Sequence, residues 1–173
     1  EPLRLLFVEE PCHPENNQPL LNLSKSTTVP IATGERHLTR WGFREIVERE
    51  MCAVLQPDVR HCGGLLELKK IASMAEVHNM AIAPHNAAGA IGVAASIHVI
   101  ATVPNFLICE GGHQHGEGLF KTPMVFKDGF IELPTAPGLG VDMHDEVIES
   151  IRDETFRLRG MFWHQDDGSF ADF

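Results

Sequence analysis

The sequence predicts an α/β chain forming the C-terminal part of a TIM-like (β/α) barrel. Five strand-like segments read LLFVEE, VPIATGE, AVLQPD, MAIAPH and FLICE. Each ends in a carboxylate or an imidazole: Glu9, Glu35, Asp58, His85 and Glu110, at steps of 26, 23, 27 and 25 residues. One strand per 25 or so residues implies a crossover between parallel strands, which needs a dozen residues or more. In a (β/α)₈ barrel the C-terminal strand ends converge on the face that carries the chemistry. The third observation is that the strands are apolar without alternation, as when both faces of a sheet are covered.

The elements follow in order. After the first strand, Asn16–Thr28 gives a weak helical signal, with Pro19 suited to a first turn. After the second, Phe43, Ile46, Val47 and Met51 make one apolar stripe, placing a helix after Trp41-Gly42. After the third, Leu65, Leu68, Ile71, Ala72 and Ala75 make another, following the turn at Gly63-Gly64. Ala94, Ile97, His98 and Ala101 belong to a helix that is apolar almost all round and therefore buried. Beyond Glu110 the pattern changes. Glycines 111, 112, 116 and 118 mark a loop. Met124–Lys127 and Phe130–Leu133 flank Asp128-Gly129, a hairpin signal. A turn-rich crossing at 134–140 leads to Asp142, placed to cap a helix over Glu146–Arg152. The tail mixes polar residues with Phe156, Phe162, Trp163, Phe170 and Phe173. This divides the chain into 1–119, the five βα units, and 120–173, the hairpin, crossing, helix and aromatic tail.

The 173 residues suffice for one domain but fall short of the ~200 or more of a whole barrel. About three further βα units are therefore expected upstream, as part of the same polypeptide. The net charge of −10 argues against nucleic acid or an anionic membrane as partner. The longest apolar stretch, Ala87–Val103, is shorter than the ~20 residues of a membrane span. Four scattered cysteines without CxxC pairing fit a reduced, cytoplasmic protein.

Glu9 and Glu35 end successive strands, which lie ~4.8 Å apart in a sheet. Two close carboxylates repel unless they share a proton or a cation. Oxygen ligands of this kind suit Mg²⁺; the bland alternative for either Glu is an ion pair with a neighbour such as Arg36. Glu10, on the opposite strand face, reads as a structural ion pair. Asp58 can accept the Nδ1–H of His85, fixing the tautomer and leaving Nε2 to move a proton. Glu110 can serve as a carboxylic acid donating to a developing oxyanion, a role that requires it protonated. His113-Gln114-His115, in a Gly-rich loop, reads as an exposed pair rather than a metal site. No phosphate-binding glycine motif is present.

The ordered set FVEEP, IATGER, LQPD…CGG, APH and ICE resembles the enolase superfamily in its mandelate racemase-like subgroup. The TGER form, the PENN stretch at 14–17 and PTAPGLGVD at 134–142 carry a finer likeness to sugar-acid dehydratases of the galactonate dehydratase type. The resemblance implies that Glu9 and Glu35 are two of three Mg²⁺ ligands, that Asp58 and His85 form a dyad, and that Glu110 is the electrophilic acid. It implies a modified barrel whose C-terminal segment crosses back to an α+β capping domain absent here, a homo-oligomer, and elimination of the β-hydroxyl of a sugar acid through an enediolate. The first metal ligand and the base on the opposite side of the site are not in this sequence. Alternatives are a racemase, epimerase or cycloisomerase of the same superfamily, a zinc hydrolase on another barrel, and a non-catalytic carboxylate binder.

Overall fold

The computed structural model describes residues 2–87, 89–111 and 116–152. The His113-Gln114-His115 stretch and the aromatic tail lie outside them. Within the described residues the predicted alternation is present: β1 (Val8–Glu9), α1 (Asn17–Ser24), β2 (Ile31–Thr33), α2 (Thr39–Glu48), β3 (Val54–Leu55), α3 (Leu65–Val77), β4 (Ala81–Ile82) and α4 (Ala90–Ile100). The four strands form one parallel sheet in the order β1-β2-β3-β4, with registers Glu9↔Ala32, Thr33↔Leu55 and Leu55↔Ile82. Chain order equals sheet order, as in a barrel wall, and each helix carries the chain to the next strand.

Every strand is shorter than its segment in the sequence. Leu5 and Leu6 lie before β1 and are exposed. FLICE forms no strand. It reaches β4 through the single bridge Ile82↔Phe106, with Ile82 N donating to Asn105 O and Leu107 N to Ile82 O, each at 2.8 Å. On its far side no strand pairs with it among the described residues, and Phe106, Leu107 and Ile108 are 40%, 42% and 49% exposed.

The main core lies between sheet and helices, where Phe43, Ile46 and Val47 of α2 meet Leu68, Ile71, Ala72 and Ala75 of α3, with Leu55 and Ile82 beneath. Full burial of each larger side chain is worth about 1.5–3 kcal/mol. A second cluster packs Val93, Ala94, Ile97 and Ile100 of α4 on Phe120 and Met124. Ala32, Val54 and Ala83 make a third, on the inner face of the sheet. Small and branched residues there leave the strand ends close together.

Local details correct the sequence reading in three places. α2 begins at Thr39 and contains Trp41 and Gly42; a side chain at Gly42 would come against His37, with its Cβ 3.7 Å from the His37 Cβ. Leu65, assigned to the α3 stripe, is 43% exposed, because it sits on the first turn, and the buried face of α3 begins at Leu68. Asp142 does not cap a helix. Its carboxylate takes Lys121 Nζ at 2.7 Å, and α5 (Asp145–Ile151) starts after His144 without a side-chain cap. The hairpin is present as β5 (Phe126–Lys127) and β6 (Phe130–Ile131), paired antiparallel. Asp128 and Gly129 both have positive φ, 52° and 82°, as a type I′ turn requires.

Gly34 sits between β2 and Glu35 with φ +148°. A Cβ there would lie 2.8 Å from Gln56 N and 2.9 Å from the Phe43 ring. Gly34→Ala should therefore cost about 1–3 kcal/mol through overpacking and strain, read as a lower urea midpoint. An unchanged midpoint would contradict the close approach.

Candidate active site

The sheet places its functional side chains on the loops after β1, β2, β3 and β4. After β3, the chain turns back on itself. Asp58 O accepts from His61 N at 3.1 Å and Cys62 N at 2.8 Å, and Gly64 N closes onto Val59 O at 2.8 Å. The turn holds the Asp58 side chain with 0% exposure. An ionised carboxylate so placed needs several donors. It has four: His85 Nδ1 to Oδ2 at 2.9 Å, Arg60 N to Oδ1 at 2.7 Å, Arg60 Nε to Oδ1 at 2.9 Å, and Arg60 Nη2 to Oδ2. Burial pushes the Asp58 carboxyl up, but the hydrogen bonds from His85 and Arg60 outweigh it and hold it well below the usual carboxylate range.

An ionised carboxylate only accepts, so Nδ1 of His85 carries the proton and Nε2 faces the other way. Nε2 lies 3.2 Å from Glu35 Oε2 and 3.8 Å from Glu110 Oε2. The hydrogen bond to Asp58 raises the His85 pKa against its burial, with Glu35 and Glu110 adding to the rise. Three of the residues singled out in the sequence thus meet at one imidazole: Asp58 behind it, Glu35 and Glu110 before it. The expected Asp–His pair is present.

Glu35 is half-buried. Burial holds its carboxyl above the usual range; His85 opposes this, while Glu10 and Glu9 add to it. Glu9, at the end of β1, is exposed. Arg36, the alternative partner considered for Glu9 or Glu35, donates to Glu10, through Nε at 3.0 Å and Nη2 at 2.9 Å, and its charge also lowers Glu35. Glu10 also accepts from Thr33 Oγ1 at 2.5 Å and Gly34 N at 2.8 Å. It is the structural ion pair expected, and it ties β1 to the Gly34 turn that presents Glu35. Glu110 has a half-exposed side chain and takes the backbone N–H of Asn86 at 2.8 Å.

Glu9 and Glu35 have the chemistry of a hard-cation site: oxygen donors of like charge, close enough for Glu9 to raise Glu35 and so stabilised by a divalent ion. They fit Mg²⁺ as a partial ligand set. Among the described residues no three His, Cys, Asp or Glu side chains group around one point for a metal. The cysteines are free thiols. Burial pushes Cys62, in the Asp58 turn, up to about 12, which removes it as a nucleophile near neutral pH.

Sequence reasoning missed Arg60, His61 and Asn86. Arg60 follows Asp58 by two residues, the spacing of a carboxylate turning back onto its own loop, and that spacing was the available signal. His61 Nδ1 meets Glu35 O at 3.0 Å, with its ring 6.4 Å from that of His85. Asn86 acts through its backbone, which side-chain chemistry does not advertise.

Residues 1–147 match the family model described as enolase C-terminal domain-like. The chain is 37% identical over 182 aligned positions to the D-galactonate dehydratase of Ralstonia pickettii, covering 100% of this chain and 48% of that protein. The same figures hold for the D-galactonate dehydratase of Variovorax paradoxus. The chain therefore spans about half the length of the curated relatives it matches. Among solved structures, a mandelate racemase/muconate lactonizing enzyme from Sulfitobacter superposes with a TM-score of 0.80 at 38% identity, covering 86% of this chain and 38% of that one. An enolase-superfamily member from Salmonella Typhimurium gives 0.79 at 33%, covering 84% and 38%.

Asp58, with its pKa depressed on folding, stabilises the fold fully above its unfolded value near ~3.9. That contribution fades as pH falls through the native value. Asp58→Asn should cost about 3–5 kcal/mol at pH 7, since it leaves Arg60 and His85 without their anion. The gap to wild type should narrow below about pH 4, as urea titrations at pH 7 and pH 3 would read. A gap independent of pH would contradict the depressed pKa.

Proposed function

The chain belongs to the enolase C-terminal domain-like family, and from that premise we propose that it carries the proton-transfer part of a Mg²⁺-dependent acid-sugar dehydratase, a hydro-lyase. The observation that carries this reading is the Asp58–His85 pair, with Nε2 of His85 aimed at the place where Glu35 and Glu110 converge. The substrate class comes from the relatives named D-galactonate dehydratase. We infer that the remaining ligand, the opposite base and the reader of the far end of the substrate come from further parts of the protein, which assembles as a homo-oligomer.

In this reading Nε2 of neutral His85 takes the α-proton of the substrate carboxylate. The C–H electrons move onto the carboxylate oxygens, giving an enediolate. Collapse of the enediolate expels the β-hydroxyl, which leaves as water after protonation by a general acid. The resulting enol tautomerises to the 2-keto acid. Asp58 holds the imidazole in the Nδ1–H tautomer and stabilises the imidazolium formed by proton transfer. Glu110, held by Asn86 N, donates a hydrogen bond to the developing negative oxygen. Glu9 and Glu35 would hold Mg²⁺, which would supply Lewis-acid stabilisation of the negative charge that develops on the substrate. A general base of this kind is typically worth 10²–10⁴-fold in rate.

The test uses the protein at its natural length with Mg²⁺ and a panel of aldonic and aldaric acids in D₂O. α-Proton exchange is followed by NMR, and keto-acid formation by semicarbazide. One sugar acid should yield keto acid, and His85→Asn should lower the rate by about 10²–10⁴-fold. Exchange without keto acid would replace the dehydratase by a racemase or epimerase. Neither signal from any acid sugar would sink the reading.

A further inference from the structure

Arg60 contacts nothing that the proposed chemistry consumes, yet it makes three of the four hydrogen bonds to Asp58. Its backbone N–H and Nε both reach Oδ1, and Nη2 reaches Oδ2. One residue therefore holds both oxygens and fixes the plane of the carboxylate. His85 Nδ1 takes the remaining direction at Oδ2, at 2.9 Å. A carboxylate held by His85 alone would be free to rotate about its Cβ–Cγ bond, and the imidazole would follow it.

We propose that Arg60 is a positioning residue: its bidentate grip on Asp58 sets the angle at which His85 presents Nε2 to the substrate carbon. This rests on the proton-transfer reading of His85 and extends it to a residue that touches neither substrate nor metal. Three observations carry it. The Asp58 side chain is 0% exposed, so solvent cannot replace a lost donor. The turn fixes the Arg60 backbone, because Asp58 O is already bonded to His61 N and Cys62 N. The Arg60 side chain is 33% exposed; its head is turned inward onto a carboxylate rather than extended into water, and only guanidinium presents the two parallel donors this geometry uses. Lysine keeps the charge and loses the fork.

Two variants test it in the protein at its natural length: Arg60→Lys, which retains the charge, and Arg60→Gln, which does not. With the substrate found by the panel, kcat should fall about 10–100-fold while KM stays within about threefold. The His85 Nδ1–H resonance, assigned against His85→Asn, should lose its slow exchange with solvent in both variants. A rise in KM at unchanged kcat would overturn the proposal, by making Arg60 a substrate contact. So would wild-type kcat and an unaltered His85 resonance in a folded Arg60→Lys protein, even if Arg60→Gln fails to fold, because charge alone would then suffice. If the wild-type protein exchanges no α-proton, the proton-transfer reading fails by itself; the resonance then still decides whether Arg60 orients the pair.

Discussion

A single anion without access to water organises this half of the barrel face. Asp58 is ionised at a place where an unpaired charge would be prohibitive, so its surroundings must supply donors from every side. That requirement explains why the loop after β3 doubles back, why Arg60 folds inward, and why the ring after β4 presents Nδ1 to β3 rather than to solvent. The parallel register puts β3 and β4 side by side, which makes the pairing a consequence of neighbouring strands and not of a long reach. Once that pair is set, the position of Nε2 follows, and the carboxylates of Glu35 and Glu110 are placed around it by the loop after β2 and the segment at 106–110.

Charge is layered across the face. Glu10 is neutralised in place by Arg36, Thr33 and the Gly34 amide; Asp58 is neutralised by Arg60 and His85. Glu9 adds to the rise at Glu35, and Glu35 and Glu110 both face Nε2 of His85. Buried anions satisfied by donors, with outer carboxylates gathered at one imidazole, suit the cation and the proton that the proposed reaction handles. The same contrast separates structural from chemical carboxylates, although adjacent residues such as Glu9 and Glu10 have the same side chain.

Much of this was legible in the sequence, for identifiable reasons. The spacing of Glu9, Glu35, Asp58, His85 and Glu110 is a direct image of one strand and one helix per unit, and the apolar stripes on α2, α3 and α4 report burial because helical period fixes which residues share a face. The Asp58–His85 contact could be read because it depends only on strand adjacency. What could not be read depends on partners outside the local pattern. That FLICE meets β4 through one bridge and forms no strand is not encoded by any propensity within it. Asp142 has the chemistry of a cap but lies opposite Lys121, and the ion pair prevailed. Arg60 was hidden because a lone arginine in a loop ordinarily faces water.

The sheet has unequal neighbours. Among the described residues β2, β3 and β4 have neighbours on both sides, whereas β1 and the segment at 106–110 each have one. Backbone amides in such a sheet open from the outside inward, and the middle strands close last to solvent exchange. The carboxylates inherit that order. Asp58 and His85 follow β3 and β4, which have neighbours on both sides, whereas Glu9 and Glu110 sit on the outermost described segments. The proton-handling pair is thus framed by neighbouring chain, and the two groups that complete it stand at its margins.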